Sequence, residues 1–305
     1  VLHKFIKSLI QEIQLPNTTV SLFIKRDDLL HPHISGNKFR KLKYNLAEAK
    51  ARNYHKLLTF GGAFSNHIVA VAAAGKEYGF QTIGIIRGEE LAHQIATNPS
   101  LQFAQDCGMH LEFISREQYR HKNESAILEF WQKKYGEIYI LPEGGTNALA
   151  VKGCEEILTA SDEVYDFICC AVGTGGTISG IINSAKPYQK IIGFPALKGD
   201  FLQEDIRNFT HENNWELCTD YHFGGYAKVT PELIHFLNEF YAQYQIPLDP
   251  IYTGKMVFGV LQLIQENYFP QGSKILLIHT GGLQGIRGIN AILSQKNQPQ
   301  IMYYE

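Results

Sequence analysis

Ser35-Gly36-Asn37-Lys38 sets a lysine directly after a glycine turn, at the start of an amphipathic stretch. A lysine held there can leave bulk solvent. A desolvated lysine has a lowered pKa and a free amine for Schiff-base chemistry, the means by which a protein captures an aldehyde cofactor. Phe39, Leu42, Leu46 and Ala49 recur at helical spacing and mark the buried stripe of the helix that carries it. Lys38 lies at the edge of that stripe, one turn before Leu42. The plainer reading is a lysine that snorkels from a helix start. Arg40 and Lys41 are expected to point further away, and Arg40, Lys41, Lys43, Lys50 and Arg52 read as a solvated face.

Four further segments could carry chemistry. Phe60-Gly61-Gly62-Ala63-Phe64-Ser65-Asn66-His67 follows an apolar run and opens a helix rich in Ala and Val. Ser65 or Asn66 would cap that helix. Free backbone N–H groups at its start could also bind an anion such as a substrate carboxylate, and the two readings are compatible. Val172-Gly173-Thr174-Gly175-Gly176-Thr177 leads from a strand into an apolar helix. Glycine-rich backbone with Thr hydroxyls at a helix start suits a phosphate; a plain tight turn is the alternative. It is not a Walker A loop, because no Gly-Lys-Ser/Thr follows, and Ile178 stands where a dinucleotide fingerprint needs its last glycine. Asp249-Pro250-Ile251-Tyr252-Thr253-Gly254-Lys255 presents Tyr252 ahead of another helix, as an acid or base or as packing. His279-Thr280-Gly281-Gly282 ends a strand, and His279 reads as a satisfied strand-end histidine rather than a catalyst.

The elements that must position these residues alternate along the chain. Strands are expected at residues 57–60, 82–86, 111–114, 138–141, 167–172, 190–194 and 274–279. Helices are expected at 66–78, near 100–107, at 125–135, near 149–160 and after Gly176. This rhythm predicts an α/β fold with parallel sheets and crossover helices. Ligands in such folds bind beyond the carboxyl ends of strands. The glycine pairs Gly61-Gly62, Gly144-Gly145 and Gly281-Gly282, and the run 173–176, fall at those ends.

Composition excludes other classes. With 45% hydrophobic and 19% charged residues and a net charge of −2, the 305-residue chain reads as an ordinary soluble protein of one large or two smaller domains. That charge does not suit nucleic acid or an anionic membrane as main partner. Five cysteines, none spaced C-x-x-C, argue against a disulfide framework or a zinc ribbon and for a reducing cytoplasm. His31-Pro32-His33 is extended by its proline, so no metal is expected. Val1-Leu2-His3-Lys4 does not read as a signal peptide, and no run of about 18 apolar residues offers a membrane span. No G-x-S-x-G elbow supplies a hydrolase nucleophile.

Taken in order, these segments resemble the fold-type II (tryptophan synthase β-like) pyridoxal-phosphate enzymes, and within them the family of 1-aminocyclopropane-1-carboxylate (ACC) deaminase and D-cysteine desulfhydrase. The carrying motifs are Lys25-Arg26-Asp27-Asp28, Gly36-Asn37-Lys38-Phe39-Arg40-Lys41-Leu42, Ser65-Asn66-His67, Pro142-Glu143-Gly144-Gly145-Thr146-Asn147, Gly173 to Thr177, Tyr252-Thr253-Gly254-Lys255 and Thr280-Gly281-Gly282. The resemblance implies two open, twisted, mostly parallel sheet domains with helices on both faces and the cofactor in the cleft between them. Residues 1–45 with 150–305 would form the large domain, and 46–149 the small one inserted within it. It implies pyridoxal 5'-phosphate as cofactor, a small amino acid as substrate and, as the family's habit, a homodimer.

By the same resemblance, Lys38 is the Schiff-base lysine and the proton shuttle at the substrate Cα. Asn66 hydrogen-bonds the cofactor's ring hydroxyl. Ser65 and nearby N–H groups hold the substrate carboxylate. Gly173, Thr174, Gly175, Gly176 and Thr177 hold the cofactor phosphate. Tyr252 lies over the cofactor as acid/base or substrate contact, and Tyr226 is the second family tyrosine. Thr253 and Thr280 are further cofactor-binding positions: the resemblance sets Thr253, the residue after Tyr252, near the cofactor ring nitrogen, and the pattern in ACC deaminases is Glu there and Leu where Thr280 stands. A carboxylate there favours a protonated nitrogen and a strong electron sink; a Thr hydroxyl leaves a weaker one. The expected reaction is therefore α,β-elimination from D-cysteine. ACC deamination is the alternative, and a catalytically degenerate binding protein of the same fold a lower one. Phe64 departs from the polar residue usual before Ser-Asn and is expected to shrink or dehydrate the substrate end.

Overall fold

The computed structural model describes residues 8–198 and 201–303. Val1-Leu2-His3-Lys4 lie outside the described residues. Among the described residues there are ten strands: β1 (Leu9–Ile13), β2 (Ser21–Arg26), β3 (Lys56–Gly61), β4 (Gln81–Arg87), β5 (His110–Ile114), β6 (Tyr139–Leu141), β7 (Phe167–Val172), β8 (Lys190–Pro195), β9 (Trp215–Leu217) and β10 (Lys274–Ile278). They form a six-stranded sheet in the order β1-β2-β10-β7-β8-β9 and a four-stranded sheet in the order β5-β4-β3-β6. β1 is antiparallel to β2, and the remaining pairs are parallel. The α/β reading with two mostly parallel sheets is what the chain adopts.

Alternation of side chains explains the apolar runs. Along β10, Ile275 and Leu277 enter one core while Leu276 and Ile278 enter the core on the other face. Leu57 and Leu58 of β3 divide in the same way. A parallel sheet covered on both faces needs such continuous apolar strands. Strands β1, β2 and β9 lie outside the sequence expectation. Among the described residues, no helix is long and apolar enough to cross a membrane.

The helix α1 (Asn37–Ala51) carries Lys38. Its stripe of Phe39, Leu42, Leu46 and Ala49 packs in the same core as the Ala-rich helix α2 (Asn66–Tyr78). The expected boundary between residues 45 and 46 thus falls inside α1. Its start is fixed by a close approach. Asn37 N–H donates to the Thr280 carbonyl at 3.2 Å. Gly36 has φ +58, and a Cβ there would stand 1.9 Å from the same oxygen. Only glycine fits.

Arg40 and Lys41 correct the solvated-face expectation. They are 5% and 2% exposed. The opposite side of α1 packs on the helix Ala148–Glu155, where a Cβ at Gly153 would meet the Arg40 carbonyl. A helix enclosed on two sides must pair its buried charges. Arg40 Nε donates to Asp27 at 3.1 Å, and Lys43 binds Glu156 at 2.6 Å. The Lys25-Arg26-Asp27-Asp28 motif continues this network: Lys25 pairs with Asp162 at 2.5 Å, and Arg26 grips Asp28 with bonds of 2.8 and 2.7 Å. Asp27 also accepts Gly36 N–H on its backbone carbonyl at 3.1 Å. This motif fastens the strand end to the glycine turn.

Candidate active site

The carboxyl ends of β3 and β4 from one sheet, and of β7 and β10 from the other, line a single cavity of about 300 Å³. Lys38 opens onto it from the first turn of α1. Its Nζ donates to the Gly144 carbonyl at 3.2 Å. Burial, and then the nearby charge of Lys41, hold its pKa well below the usual lysine value. Both effects favour the free amine over the ammonium form.

Lys41 is the residue that sequence reasoning missed. It donates to the same Gly144 carbonyl at 3.0 Å and to Thr146 Oγ1 at 2.8 Å. Its place three residues after Lys38 puts both on one helix face, a signal that the solvated-face reading passed over. Gly144 and Gly145, with φ +67 and +71, turn the backbone so that this carbonyl faces both lysines.

The loop after β7 meets α1 directly. Asn37 Nδ2 donates to Thr177 Oγ1 at 2.8 Å, and the Thr174 and Thr146 hydroxyls lie 2.6 Å apart. Gly173, Thr174, Gly175 and Thr177 line the cavity, whereas Gly176 packs behind, where a Cβ would meet Thr146 at 2.8 Å. Gly175 caps the helix Gly176–Ser184 at φ +78.

Ser65 and Asn66 line the cavity at the start of α2. Ser65 is the N-cap, its Oγ accepting from His67 N–H at 3.2 Å and Ile68 N–H at 3.4 Å. Those two N–H groups are thereby taken, so an anion there would meet the Ser65 hydroxyl proton and the Asn66 amide. His67 also faces the cavity, with Nε2 2.9 Å from Thr59 Oγ1. Burial, reinforced by Lys38 and Lys41, holds its pKa well below the ordinary value, so it is neutral.

Tyr226 and Tyr252 share the opposite wall, their ring centroids 6.2 Å apart. Burial and then the neighbouring Tyr226 push the Tyr252 pKa well above the normal phenol value. It is a proton donor rather than a phenolate. Asp249 sets its position by accepting Tyr252 N–H at 2.8 Å and Ile251 N–H at 2.9 Å. Lys255 donates to the His222 and Gly225 carbonyls, each at 2.9 Å, and so ties down the loop before Tyr226.

Thr280 lines the cavity at the end of β10, but Thr253 does not. The Thr253 hydroxyl donates to Asp249 Oδ2 at 2.6 Å and accepts Asp249 N–H at 3.0 Å. The first turn of the helix Thr253–Gln265 turns this fully buried hydroxyl into the Asp249 cap. His279 is fully buried, with Nε2 2.7 Å from the Pro247 carbonyl, in keeping with a satisfied strand end.

Residues 9–281 match the family described as pyridoxal-phosphate dependent enzyme. The chain belongs to that family. Its relatives include the bifunctional D-cysteine desulfhydrase/1-aminocyclopropane-1-carboxylate deaminase of Arabidopsis thaliana, 32% identical over 89% of this chain and 74% of that one. The 1-aminocyclopropane-1-carboxylate deaminase of Rhizobium rhizogenes is 27% identical over 88% of this chain and 89% of its own. A crystal structure described as an ACC deaminase homologue superposes with a TM-score of 0.79 at 29% identity, covering 94% of this chain and 93% of the other.

Pyridoxal phosphate is thus this enzyme's cofactor, and the cavity fits it. The glycine loop is a cradle that side chains would fill, since a Cβ at Gly173 would stand 3.1 Å from the Tyr252 ring. Gly173 to Thr177, with Asn37 and Lys41 beside them, would hold the phosphate. Asn66, whose side-chain amide has no hydrogen-bond partner among the described residues, would meet the ring hydroxyl. Lys38 would meet the aldehyde.

Proposed function

We propose that this pyridoxal-phosphate enzyme eliminates the β-thiol of D-cysteine, converting D-cysteine and water to pyruvate, ammonia and hydrogen sulfide. The observation that carries the proposal is the wall at the end of β10. It offers the Thr280 hydroxyl, and among the described residues the only carboxylate lining the cavity is Glu143, which is paired with Lys122 at 3.1 Å. When bound, the cofactor supplies the electron sink for carbanion chemistry at the substrate Cα. A hydroxyl rather than a carboxylate at its ring nitrogen suits removal of an α-proton, which ACC lacks.

The chain's own groups divide the work. Ser65 Oγ–H donates to the substrate carboxylate. The neutral Lys38 Nζ takes the α-proton, its basicity set by burial and Lys41. Tyr252, protonated in its buried place, gives a proton to the departing sulfur. Phe64 rests its ring on the helix Gly285–Gln295 and closes the substrate end with an apolar edge; a Cβ at Gly288 would meet that ring at 2.5 Å.

Incubating the loaded protein separately with D-cysteine and with ACC tests the reading. Sulfide and pyruvate from D-cysteine are expected. 2-Oxobutanoate from ACC with no sulfide from D-cysteine would overturn it.

A further inference from the structure

Arg87 ends β4 at the cavity wall, and nothing in the proposed reaction uses it. Its partly buried guanidinium has the Tyr119 ring centroid 5.7 Å away as neighbour. Its Nη2 would stand 3.5 Å from a Cβ placed on Gly62, so the missing side chain leaves it room. Among the described residues it forms no ion pair and no hydrogen bond. Other arginines contrast with it: Arg26, Arg40 and Arg116 each hold a carboxylate. The carboxylate on this wall, Glu143, is bound to Lys122 at 3.1 Å. One positive charge with a full set of donors therefore faces the cavity unbalanced.

The other anions already have places. The cofactor phosphate has the loop after β7, on the other sheet, and the substrate α-carboxylate has Ser65. A guanidinium fork matches a further oxyanion, which it can bind with two parallel hydrogen bonds. We infer that Arg87 binds an oxyanion at the far end of the substrate side chain, so that the preferred substrate is an α-amino acid whose β-substituent carries a carboxylate or a phosphate. This rests on the β-elimination reading above and makes D-cysteine a small surrogate.

The test is calorimetric binding to the pyridoxal-phosphate-loaded protein, with both enantiomers of each probe. Aspartate is compared with asparagine, and O-phosphoserine with serine, which separates carboxylate from phosphate. The wild-type protein binds at least one anionic member more tightly than its neutral partner, on the order of tenfold, as one charge-assisted hydrogen bond supplies. Arg87→Gln erases that preference and leaves the neutral member within about twofold. Arg87→Lys, which keeps the charge without the fork, retains part of it and serves if Arg87→Gln does not fold. No preference in the wild-type protein overturns the assignment. So does equal weakening of charged and neutral members by Arg87→Gln, which would place Arg87 on the α-carboxylate. Sulfide release from D-cysteine, measured on the same preparation, keeps the outcomes apart: sulfide without an anion preference sinks only the Arg87 assignment, and a preference without sulfide sinks only the D-cysteine reading.

Discussion

Lys38 and Lys41 donate to one acceptor, the Gly144 carbonyl oxygen, at 3.2 and 3.0 Å. Two lysines on a single neutral acceptor cannot both hold a full charge cheaply in a buried site. Burial and mutual repulsion favour the neutral form, and Lys41 has the Thr146 hydroxyl as a second partner at 2.8 Å. Lys38 has no other acceptor among the described residues, so it is the amine left free to react.

That relationship makes cofactor-free stability depend on pH. In the unfolded chain Lys38 has an ordinary lysine pKa near 10.4, and in the fold it lies well below. Between the two values the unfolded chain binds more protons, so this group's contribution to stability rises with pH across that window. Lys38→Met removes the term. In urea denaturation of the apoprotein, the variant's stability relative to wild type should be greatest near neutral pH and shrink toward about pH 10. A gap that does not change with pH would contradict the account.

Asp27 links the β2 end, the glycine turn and α1 through its bond to Arg40 Nε at 3.1 Å and its backbone bond to Gly36. Both charges are buried. Asp27→Ala leaves Arg40 uncompensated and should cost about 3–5 kcal/mol in chemical denaturation. A loss below about 1 kcal/mol would mean that Arg40 finds another partner or water.

Gly36→Ala should cost about 2–4 kcal/mol, through positive φ and collision with the Thr280 carbonyl. Because the same contact starts α1, cofactor affinity should fall together with melting temperature. An alanine variant with wild-type stability would show that the turn can relax away from β10.

Thr253 and Thr280 should separate in behaviour. Thr253→Val strips a hydroxyl from the buried Asp249 cap and should cost about 1–3 kcal/mol of stability, without moving the absorbance of bound cofactor. Thr280→Val lies in the cavity wall and should shift that absorbance at little cost in stability. The opposite pattern would return Thr253 to the ring.

Most strands and helices were legible because their periodicity is strong and glycine marks the strand ends. β1, β2 and β9 were not: Leu9–Ile13 and Trp215–Leu217 lie at the two edges of the larger sheet, where Ile13 alone is buried, and Ser21–Arg26 mixes charged residues into its apolar run. Within the site, Lys38, Ser65, Asn66 and the loop after β7 could be picked out because turn chemistry and helix starts constrain them. Lys41 and Arg40 could not, because a charged residue is ordinarily exposed and only tertiary packing against residues 148–155 buries them. The Asp249 partner of Thr253 was hidden for a related reason: sequence places Thr253 one residue from Tyr252, but a helix start sends successive side chains in different directions.

Lys38, not its neighbour Lys41, is the lysine we assign to pyridoxal phosphate. Reducing the loaded protein with borohydride fixes the cofactor to whichever lysine holds it, and mass spectrometry of the digested protein then locates the added pyridoxyl group. That group is expected on Lys38, and its loss together with the visible cofactor band is expected in Lys38→Ala. A pyridoxyl group on Lys41 or on any other lysine, or a band that persists without Lys38, would contradict that assignment.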